Sequence, residues 1–212
     1  LAADLANIGQ LFPGVSVSFG GVSERMAESF SSLLKNFGFA CLLIYAILAL
    51  VFRSYLQPII IMFAVPFGLI GAALGHVWMG YPMTMVSWMG LIALSGVVVN
   101  DSLILVDFIN RSRNKGLAIK ESIMNAGRVR LRPIILTSIT TILGLVPLLM
   151  AQAYEAQMLI PMAISLAFGL AFATVLTLLI VPCLYAILDD MVSMFSSTMQ
   201  FMGFKDAPAA SE

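Results

Sequence analysis

The sequence predicts an all-α membrane protein, a five-helix transmembrane bundle with a short α/β segment at its N-terminus. Three observations lead to this fold class. First, 60% of the 212 residues are hydrophobic and 10% are charged, whereas soluble domains average about 45–50% and about 25%. Second, five apolar stretches approach or exceed the roughly 20 residues that a helix needs to cross a bilayer. Third, the basic residues are concentrated in two of the connections between these stretches.

This composition disfavours several classes of protein. The chain is too apolar for a water-soluble enzyme or for a disordered segment. Its 11 basic and 11 acidic residues cancel, so there is no basic field for nucleic acid. Cys41 and Cys183 lie in apolar runs without metal-like spacing, and we expect no metal site and no cofactor. The chain begins at Leu1 without a signal peptide, which favours a piece of a longer protein.

Residues 1–30 have the composition of a water-soluble segment. Leu1, Leu5 and Ile8 recur at helical spacing, a Pro-Gly pair follows, and residues 15–19 alternate as in a strand. This pattern predicts the end of an α/β domain. Ser23 predicts the start of a further helix that leads into the first apolar stretch.

The five predicted spans cover residues 33–52, 58–79, 85–109, 133–150 and 158–188. Residues 31–190 therefore form the predicted transmembrane domain, and residues 191–212 form a C-terminal tail. Residues 116–128 mix apolar and charged side chains, which predicts an amphipathic helix on the membrane surface. A soluble bundle of buried helices is the alternative, and the length and low charge of the segments disfavour it.

The basic residues predict the orientation. Residues 110–132, between the third and fourth spans, carry seven basic residues and one acidic residue, and Arg53 lies between the first and second spans. The connections 80–84 and 151–157 contain no Lys or Arg. The positive-inside rule therefore predicts that the basic connections and the C-terminus are cytoplasmic and that the N-terminus lies outside.

Small residues and prolines mark the predicted helix contacts. Gly71 and Gly75 form a small-xxx-small pair in the second span, which lets a neighbouring helix approach closely. Pro66, Pro147 and Pro182 interrupt three spans and free backbone carbonyls that protein or water must satisfy.

The third span carries the main candidate functional residue. Asp101 lies four residues beyond Val97, the middle of the span, or about 6 Å along the helix axis. A carboxylate at this depth costs at least about 2.5–3.5 kcal/mol, and ionisable residues inside a membrane usually mark ion or substrate pathways. We expect Asp101 to bind and release protons, with Asn100, Ser102 and Ser95 as polar neighbours. The alternative is a structural contact with a neighbouring helix.

Four other polar residues are candidates. Asp107 lies within a turn of the inner end, near Arg111, which favours a solvated position at the interface. Arg130 is either a membrane anchor or a countercharge and gate on a proton path. Thr137 and Thr141, one turn apart, either line the same polar seam as the carboxylate or bond their own backbone.

Short motifs along residues 1–188 together resemble a known family. They are Phe52-Arg-Ser-Tyr-Leu-Gln-Pro58, Val65-Pro66-Phe-Gly-Leu-Ile-Gly71, Asn100-Asp101, Arg128-Val-Arg-Leu-Arg-Pro133-Ile-Ile-Leu-Thr137-Ser138, Gly144-Leu-Val-Pro147 and Val181-Pro182. In this order they resemble the C-terminal half of a resistance-nodulation-division (RND) efflux permease of the AcrB and MexB type. The resemblance implies that the spans are the eighth to twelfth of a twelve-helix protomer, and that residues 1–30 contain the end of a periplasmic porter subdomain.

The resemblance also implies a setting and an activity. Such permeases are multi-pass proteins of the bacterial inner membrane, embedded in lipid, in which the two halves of the chain pack together and the protomers form a homotrimer. They work with a periplasmic adaptor and an outer-membrane channel, and they export drugs or other amphiphilic compounds by proton antiport. The N-terminus is then periplasmic.

The resemblance assigns a proton relay residue by residue. The family has a lysine on the tenth span facing two aspartates of the fourth, and an arginine and a threonine on the eleventh. Here Asn100 stands at the lysine position, Asp101 follows it, and Arg130 and Thr137 match the arginine and threonine. Because the lysine is missing, Asp101 is itself the expected proton carrier, with Asn100 and Thr137 as polar neighbours and Arg130 as a gating cation.

Three other functions remain as alternatives. Metal-exporting relatives also resemble this sequence in carrying an acidic residue on that span, which leaves metal-ion export open. The second alternative is that the chain by itself is a membrane scaffold without transport activity. An intramembrane aspartyl protease is disfavoured, because Asp101 and Asp107 lie on one helix, and we do not expect an enzyme.

Overall fold

A computed structural model describes residues 21–201, and all regular structure in this range is helical. The helices are α1 (Val22–Phe52), α2 (Gln57–Met62), α3 (Val65–Met79), α4 (Met85–Asn114), α5 (Ile119–Leu149), α6 (Tyr154–Gln157) and α7 (Ile160–Phe201). The α/β segment predicted in the first 20 residues lies outside this range. The chain divides into two compact units, residues 1–43 and 44–212. The first unit includes residues 22–43 of α1, and the second contains the rest of α1 and the other helices.

Five segments are long and apolar enough to cross a membrane, which confirms the predicted five-helix membrane fold. They are Glu24–Phe52, Gln57–Met79, Met85–Asn114, Ile119–Leu149 and Ile160–Met191. α1 runs without a break from Val22, so the helix expected to start near Ser23 and the first span are one. α7 also continues to Phe201, so the predicted tail begins within a helix.

α5 differs from the prediction for this part of the chain. A separate surface helix was expected over residues 116–128, followed by a span from Pro133, but residues 119–149 form one helix with Pro133 inside it. A proline within a helix removes one backbone hydrogen bond, yet α5 continues through Pro133 without a break. The 31 residues extend about 46 Å, so the basic first turns reach beyond about 30 Å of hydrocarbon.

Of the three spans that contain Pro66, Pro147 or Pro182, the second is the one whose helix is interrupted at its proline. Pro66 has no N–H group for a helical bond to the Met62 carbonyl, and α2 ends at Met62 before α3 begins at Val65. Backbone hydrogen bonds between residues three positions apart close the turn between α2 and α3. The Ala64 N–H donates to the Ile61 carbonyl at 3.3 Å, and the Phe67 N–H donates to the Ala64 carbonyl at 3.2 Å. Pro147 and Pro182 lie inside continuous helices.

α7 is the central helix of the second unit and packs against α2, α3, α4, α5 and α6. It approaches α3 at the glycine pair: a Cβ atom on Gly71 would lie 2.7 Å from the Phe168 carbonyl oxygen, and one on Gly75 would lie 2.5 Å from the Phe168 Cβ. It approaches α4 at Gly90, where a Cβ would lie 2.8 Å from the Met162 carbonyl oxygen. These separations are too short for any side chain, so glycine is required where α7 meets both helices.

A polar cluster joins α2, α4 and α7 near the basic connections. The Tyr185 hydroxyl donates to Asn110 Oδ1 at 2.6 Å, and Asn110 Nδ2 donates to Gln57 Oε1 at 2.8 Å. One turn farther along both helices, Arg113 pairs with Asp189 at 2.7 Å. Since interhelical hydrogen bonds hold helices together in lipid, this cluster fixes the C-terminal end of α4 on α7.

A second polar contact joins α3 and α4 at the opposite end. His76 is buried, and its Nδ1 lies 2.9 Å from the Ala72 carbonyl, which can only accept. Nδ1 therefore carries the hydrogen, and Nε2 accepts from Ser87 Oγ at 2.9 Å. Ser87 Oγ in turn accepts from the Thr84 N–H at 3.0 Å, within the capping box that starts α4.

Replacing Gly71 tests the α3–α7 packing. We expect Gly71→Ala to lower the free energy of unfolding by about 1–3 kcal/mol, because the new methyl group forces the two backbones apart. Gly144→Ala is the matched control, because nothing described lies within 4 Å of a Cβ at that position. Unfolding of the purified chain in mixed micelles by increasing SDS measures both variants. Equal stability of the two would contradict the packing assigned to Gly71.

Removing the Tyr185 hydroxyl tests the polar cluster. We expect Tyr185→Phe to cost about 0.5–1.5 kcal/mol, because the variant loses a buried interhelical hydrogen bond. Tyr45→Phe removes an exposed hydrogen bond to the Tyr55 carbonyl and serves as the control with a smaller loss. The same SDS titration compares them, and a cost for Tyr185→Phe no greater than the control would show that the cluster adds no stability.

Candidate functional site

A cavity of about 190 Å³ lies between α4 and α5, with Leu170 of α7 at its back. Four of its lining residues come from α4, namely Val97, Asn100, Asp101 and Ile104. From α5 come Arg130, Pro133, Ile134, Thr137, Ser138 and Thr141. The structure thus brings together the four residues of the predicted proton relay, along with the secondary candidate Thr141.

The helix periodicity explains this arrangement. α4 and α5 contact each other and are joined by four residues, so they form an antiparallel hairpin. Arg130 and Thr137 are seven residues apart, which places both on one face of α5 two turns apart. Thr141 continues the same face one turn farther on. The basic and hydroxyl side chains therefore form a column along the cavity.

Asp101 is buried and has no partner within the described part of the chain. Its side chain is 8% exposed, and no hydrogen bond or ion pair joins it to another residue among 21–201. Its neighbours Val98, Ser102 and Leu105 are buried as well. A carboxylate removed from water without a partner is costly. The Asp101 carboxyl group, which lines the cavity, is therefore the feature of the site that needs a chemical explanation.

Thr137 and Thr141 line the cavity and also bond their own helix. The Thr137 hydroxyl donates to the Ile134 carbonyl at 2.9 Å, and the Thr141 hydroxyl donates to the Thr137 carbonyl at 2.9 Å. The two expectations for these residues are therefore compatible. Because each hydroxyl hydrogen is used within the helix, the oxygen lone pairs remain able to accept a hydrogen bond in the cavity.

Arg130 lies along the cavity beside an aromatic ring. Its guanidinium carbon lies 4.9 Å from the centroid of the Phe108 ring, and its Nε is buried without a hydrogen-bond partner. No ion pair joins Arg130 to Asp101 within the range that the structure describes. Arg130 is thus a partly buried cation on the cavity wall.

The other secondary candidates do not line the cavity. Ser95 donates to the Ile92 carbonyl at 2.6 Å, and Ser102 donates to the Val98 carbonyl at 2.8 Å. Asp107 pairs with Arg111, one turn on, at 2.9 Å, and the two side chains are 34% and 72% exposed. The serines therefore serve their own helix, and Asp107 forms a partly exposed pair near the end of α4.

Two features of the site have no counterpart in the sequence analysis. Ser138 bonds Thr174 of α7 at 2.8 Å between hydroxyl oxygens and so ties α5 to the central helix. Phe108 carries the Arg130 contact. A signal existed for Phe108, which is seven residues after Asp101 and therefore on the same face of α4. Its side chain is apolar, however, and therefore does not stand out within an apolar span.

Metal ligands are the last kind of site chemistry to consider in the described residues. Within residues 21–201 no group of three or more His, Cys, Asp or Glu side chains is placed to hold a metal ion. The chemistry available in the cavity is therefore that of one carboxyl group, one guanidinium, an amide and hydroxyl groups.

Comparison with known proteins shows the family. Residues 2–189 match the AcrB/AcrD/AcrF family. The chain is 35% identical over 175 residues to the swarming motility protein SwrC of Bacillus subtilis (strain 168), which is 82% of this chain and 17% of that protein. It is 30% identical over 174 residues to the multidrug resistance protein MdtC of Pectobacterium atrosepticum, with the same two shares.

Solved structures show the same fold. The chain is similar to a heavy metal efflux pump in two crystal forms, each with a TM-score of 0.72, at 28% and 25% sequence identity. The matches cover 84% and 90% of this chain but 17% and 19% of the pump, so the chain spans a small part of its relatives. A family match along almost the whole sequence, on five apolar helices of the same arrangement, shows that this chain belongs to the AcrB/AcrD/AcrF family of RND efflux transporters.

Proposed function

We propose that this chain is part of a proton-driven RND exporter and that Asp101 binds the transported proton. The observation that supports this most directly is the placement of Asp101, buried, unpaired within residues 21–201 and open to a cavity shared with Arg130. A carboxyl group in such a cavity can be neutralised by a proton or by a cation, and a protein that alternates between the two couples proton binding to movement.

Arg130 is the proposed gating cation. When Asp101 is ionised, attraction draws the guanidinium towards it, and protonation removes that attraction. Because charges are costly in a low-dielectric cavity, the site with ionised Asp101 and the site with protonated Asp101 differ in energy. The lateral position of α5 against α4 changes as the site passes from one state to the other. The membrane potential supplies about 2.3 kcal/mol per proton at 100 mV, which drives the cycle in one direction.

Asn100 and Thr137 are the proposed polar neighbours of the carboxyl group. An amide both donates and accepts, so Asn100 can bond the protonated or the ionised carboxyl without adding a fixed charge. Thr137 offers its oxygen as an acceptor, because its hydrogen is held by the Ile134 carbonyl. Position 100 carries no lysine. Asp101 and Arg130 are therefore the two charged groups that the proposal places in this cavity.

The proposed setting follows from the family and from the basic residues. We place the chain in the bacterial inner membrane with the connection from 110 to 132 in the cytoplasm, as the positive-inside rule predicts. The N-terminal segment is then periplasmic. The proposed partners are the N-terminal half of the same transporter, two further protomers, a periplasmic adaptor and an outer-membrane channel. The exposed apolar side chains of α5, such as Leu136 and Leu143, are surface for lipid or for the other half.

Drugs and other amphiphilic compounds are the proposed cargo, and metal ions are the second candidate. The name of MdtC, a multidrug resistance protein, supports the first, and the similarity to a heavy metal efflux pump supports the second. Resistance of an efflux-deficient bacterium that expresses the full-length transporter separates them. We expect raised tolerance to amphiphilic drugs, and tolerance raised for metal salts alone would assign the transporter to the second class.

An isolated scaffold without transport is the remaining alternative for the chain by itself. Liposomes that carry the 212-residue chain and a pH-sensitive dye measure proton flux directly. We expect no flux above that of empty liposomes from the chain alone, and flux with the full-length transporter. Flux from the chain alone would show that its cavity is a sufficient proton path.

Replacing Asp101 tests the proton role. We expect Asp101→Asn in the full-length transporter to abolish proton-coupled efflux from proteoliposomes, because a side-chain amide does not take up a proton near neutral pH. Asp107→Asn is the matched control on the same helix, and we expect it to retain most of the activity, because Asp107 lies outside the cavity and pairs with Arg111. Unchanged efflux in Asp101→Asn would remove the assignment.

A further inference from the structure

The Phe108 ring is the part of the cavity region that the relay does not explain. Phe108 lies seven residues beyond Asp101 on α4, and Arg130 lies seven residues before Thr137 on the antiparallel α5. Two turns of helix separate each pair. Phe108 and Arg130 therefore stand at one level of the hairpin, and Asp101 and Thr137 stand at another level about 10 Å away.

Arg130 is held at the Phe108 level. Its guanidinium carbon lies 4.9 Å from the ring centroid, within the distance at which the negative face of an aromatic ring attracts a cation. Its Nε is buried with no hydrogen-bond partner. Because no ion pair of Arg130 is present in the range 21–201, the ring face is the main described group that compensates this charge.

Phe108 itself is fixed by packing. It lies against the buried cluster that includes Leu105, Val106 and Ile109 of α4 and Tyr185 of α7. The polar cluster at Asn110, two residues on, ties the same end of α4 to α7. The Phe108 ring is therefore held in place by its packing, whereas the long side chain of Arg130 has several rotatable bonds and can move.

We propose that Phe108 is a positioning residue that holds the Arg130 guanidinium on its ring, two helical turns from Asp101, and so keeps Asp101 without a countercharge. The long arginine stem lets the guanidinium leave the ring and turn towards the carboxylate, so the ring defines one of two positions for a single cation. The position on the ring is independent of the proposed function, while its effect on transport rests on that function.

A fluorine series tests the ring contact without changing the packing. Phenylalanine with one, two or three ring fluorines is incorporated at position 108 of the full-length transporter, because each fluorine weakens the negative face of the ring at nearly constant volume. Phenylglyoxal modifies arginine side chains, and mass spectrometry follows its reaction with Arg130. We expect the rate to rise with each fluorine, by about fivefold for the trifluoro ring, which corresponds to about 1 kcal/mol.

The matched control is the same series at Phe63, an exposed residue that packs edge-on against Phe67 at 5.6 Å. Fluorination there leaves the Arg130 rate unchanged. Phe108→Trp and Phe108→Leu extend the test with natural residues, since Trp keeps an aromatic face and Leu does not. We expect slow modification of Arg130 in the Trp variant and fast modification in the Leu variant.

Efflux measured on the same proteins tests the effect on transport. We expect it to fall in the order of increasing fluorination and to be higher in Phe108→Trp than in Phe108→Leu. A rate of Arg130 modification that ignores fluorination overturns the contact. A rate that rises while efflux stays constant overturns the positioning role. Loss of the proposed function would appear instead as active Asp101→Asn, which leaves the modification rates unaffected.

Discussion

The close seating of α7 against α3 and α4 is the packing constraint on which the rest of the bundle depends. Apolar side chains gain little by leaving lipid, so membrane helices associate through contact between closely spaced backbones. Gly71 and Gly75 on α3 and Gly90 on α4 allow this approach. With α7 in place, Leu170 closes the back of the cavity and Thr174 holds α5. The geometry around Asp101 is thus set largely by glycine contacts and by one hydroxyl pair that lie outside the proposed relay.

The charges of the bundle are arranged according to their cost in hydrocarbon. Arg113 and Asp189 form a pair near the ends of the spans Met85–Asn114 and Ile160–Met191, and Asp107 pairs with Arg111 where both side chains retain some exposure. Asp101 departs from this rule, since it lies farther inside and pairs with no described residue. Asp101 and Arg130 are thus two opposite charges that line one cavity without pairing within residues 21–201, and ionisable residues placed so deep usually mark a functional site.

The parts of the fold that sequence could predict are those with a short-range signal. Five apolar lengths predict five spans, and the spacing of Gly71 and Gly75 predicts a close helix contact on one face. Polar residues stand out in apolar helices, so the sequence singles out Asp101, Arg130 and Thr137, which line one cavity. The bond from Tyr185 to Asn110 joins residues 75 positions apart, and no local pattern encodes it. The continuity of α5 through Pro133 was missed because the rule for proline describes a cost, which the neighbouring residues offset.

The central position of α7 has a consequence for the order of assembly. α7 follows the other helices of residues 21–201 in sequence, so the glycine face of α3 is synthesised about 100 residues before Phe168, the residue that it contacts. At ordinary translation rates this is a delay of about 5–20 s. During that time α3 and α4 reside in the bilayer without the helix that fills their grooves. The contacts that α7 makes with α3 and α4 therefore form after those two helices have been inserted, so the packing around the cavity is completed late in the synthesis of residues 44–201.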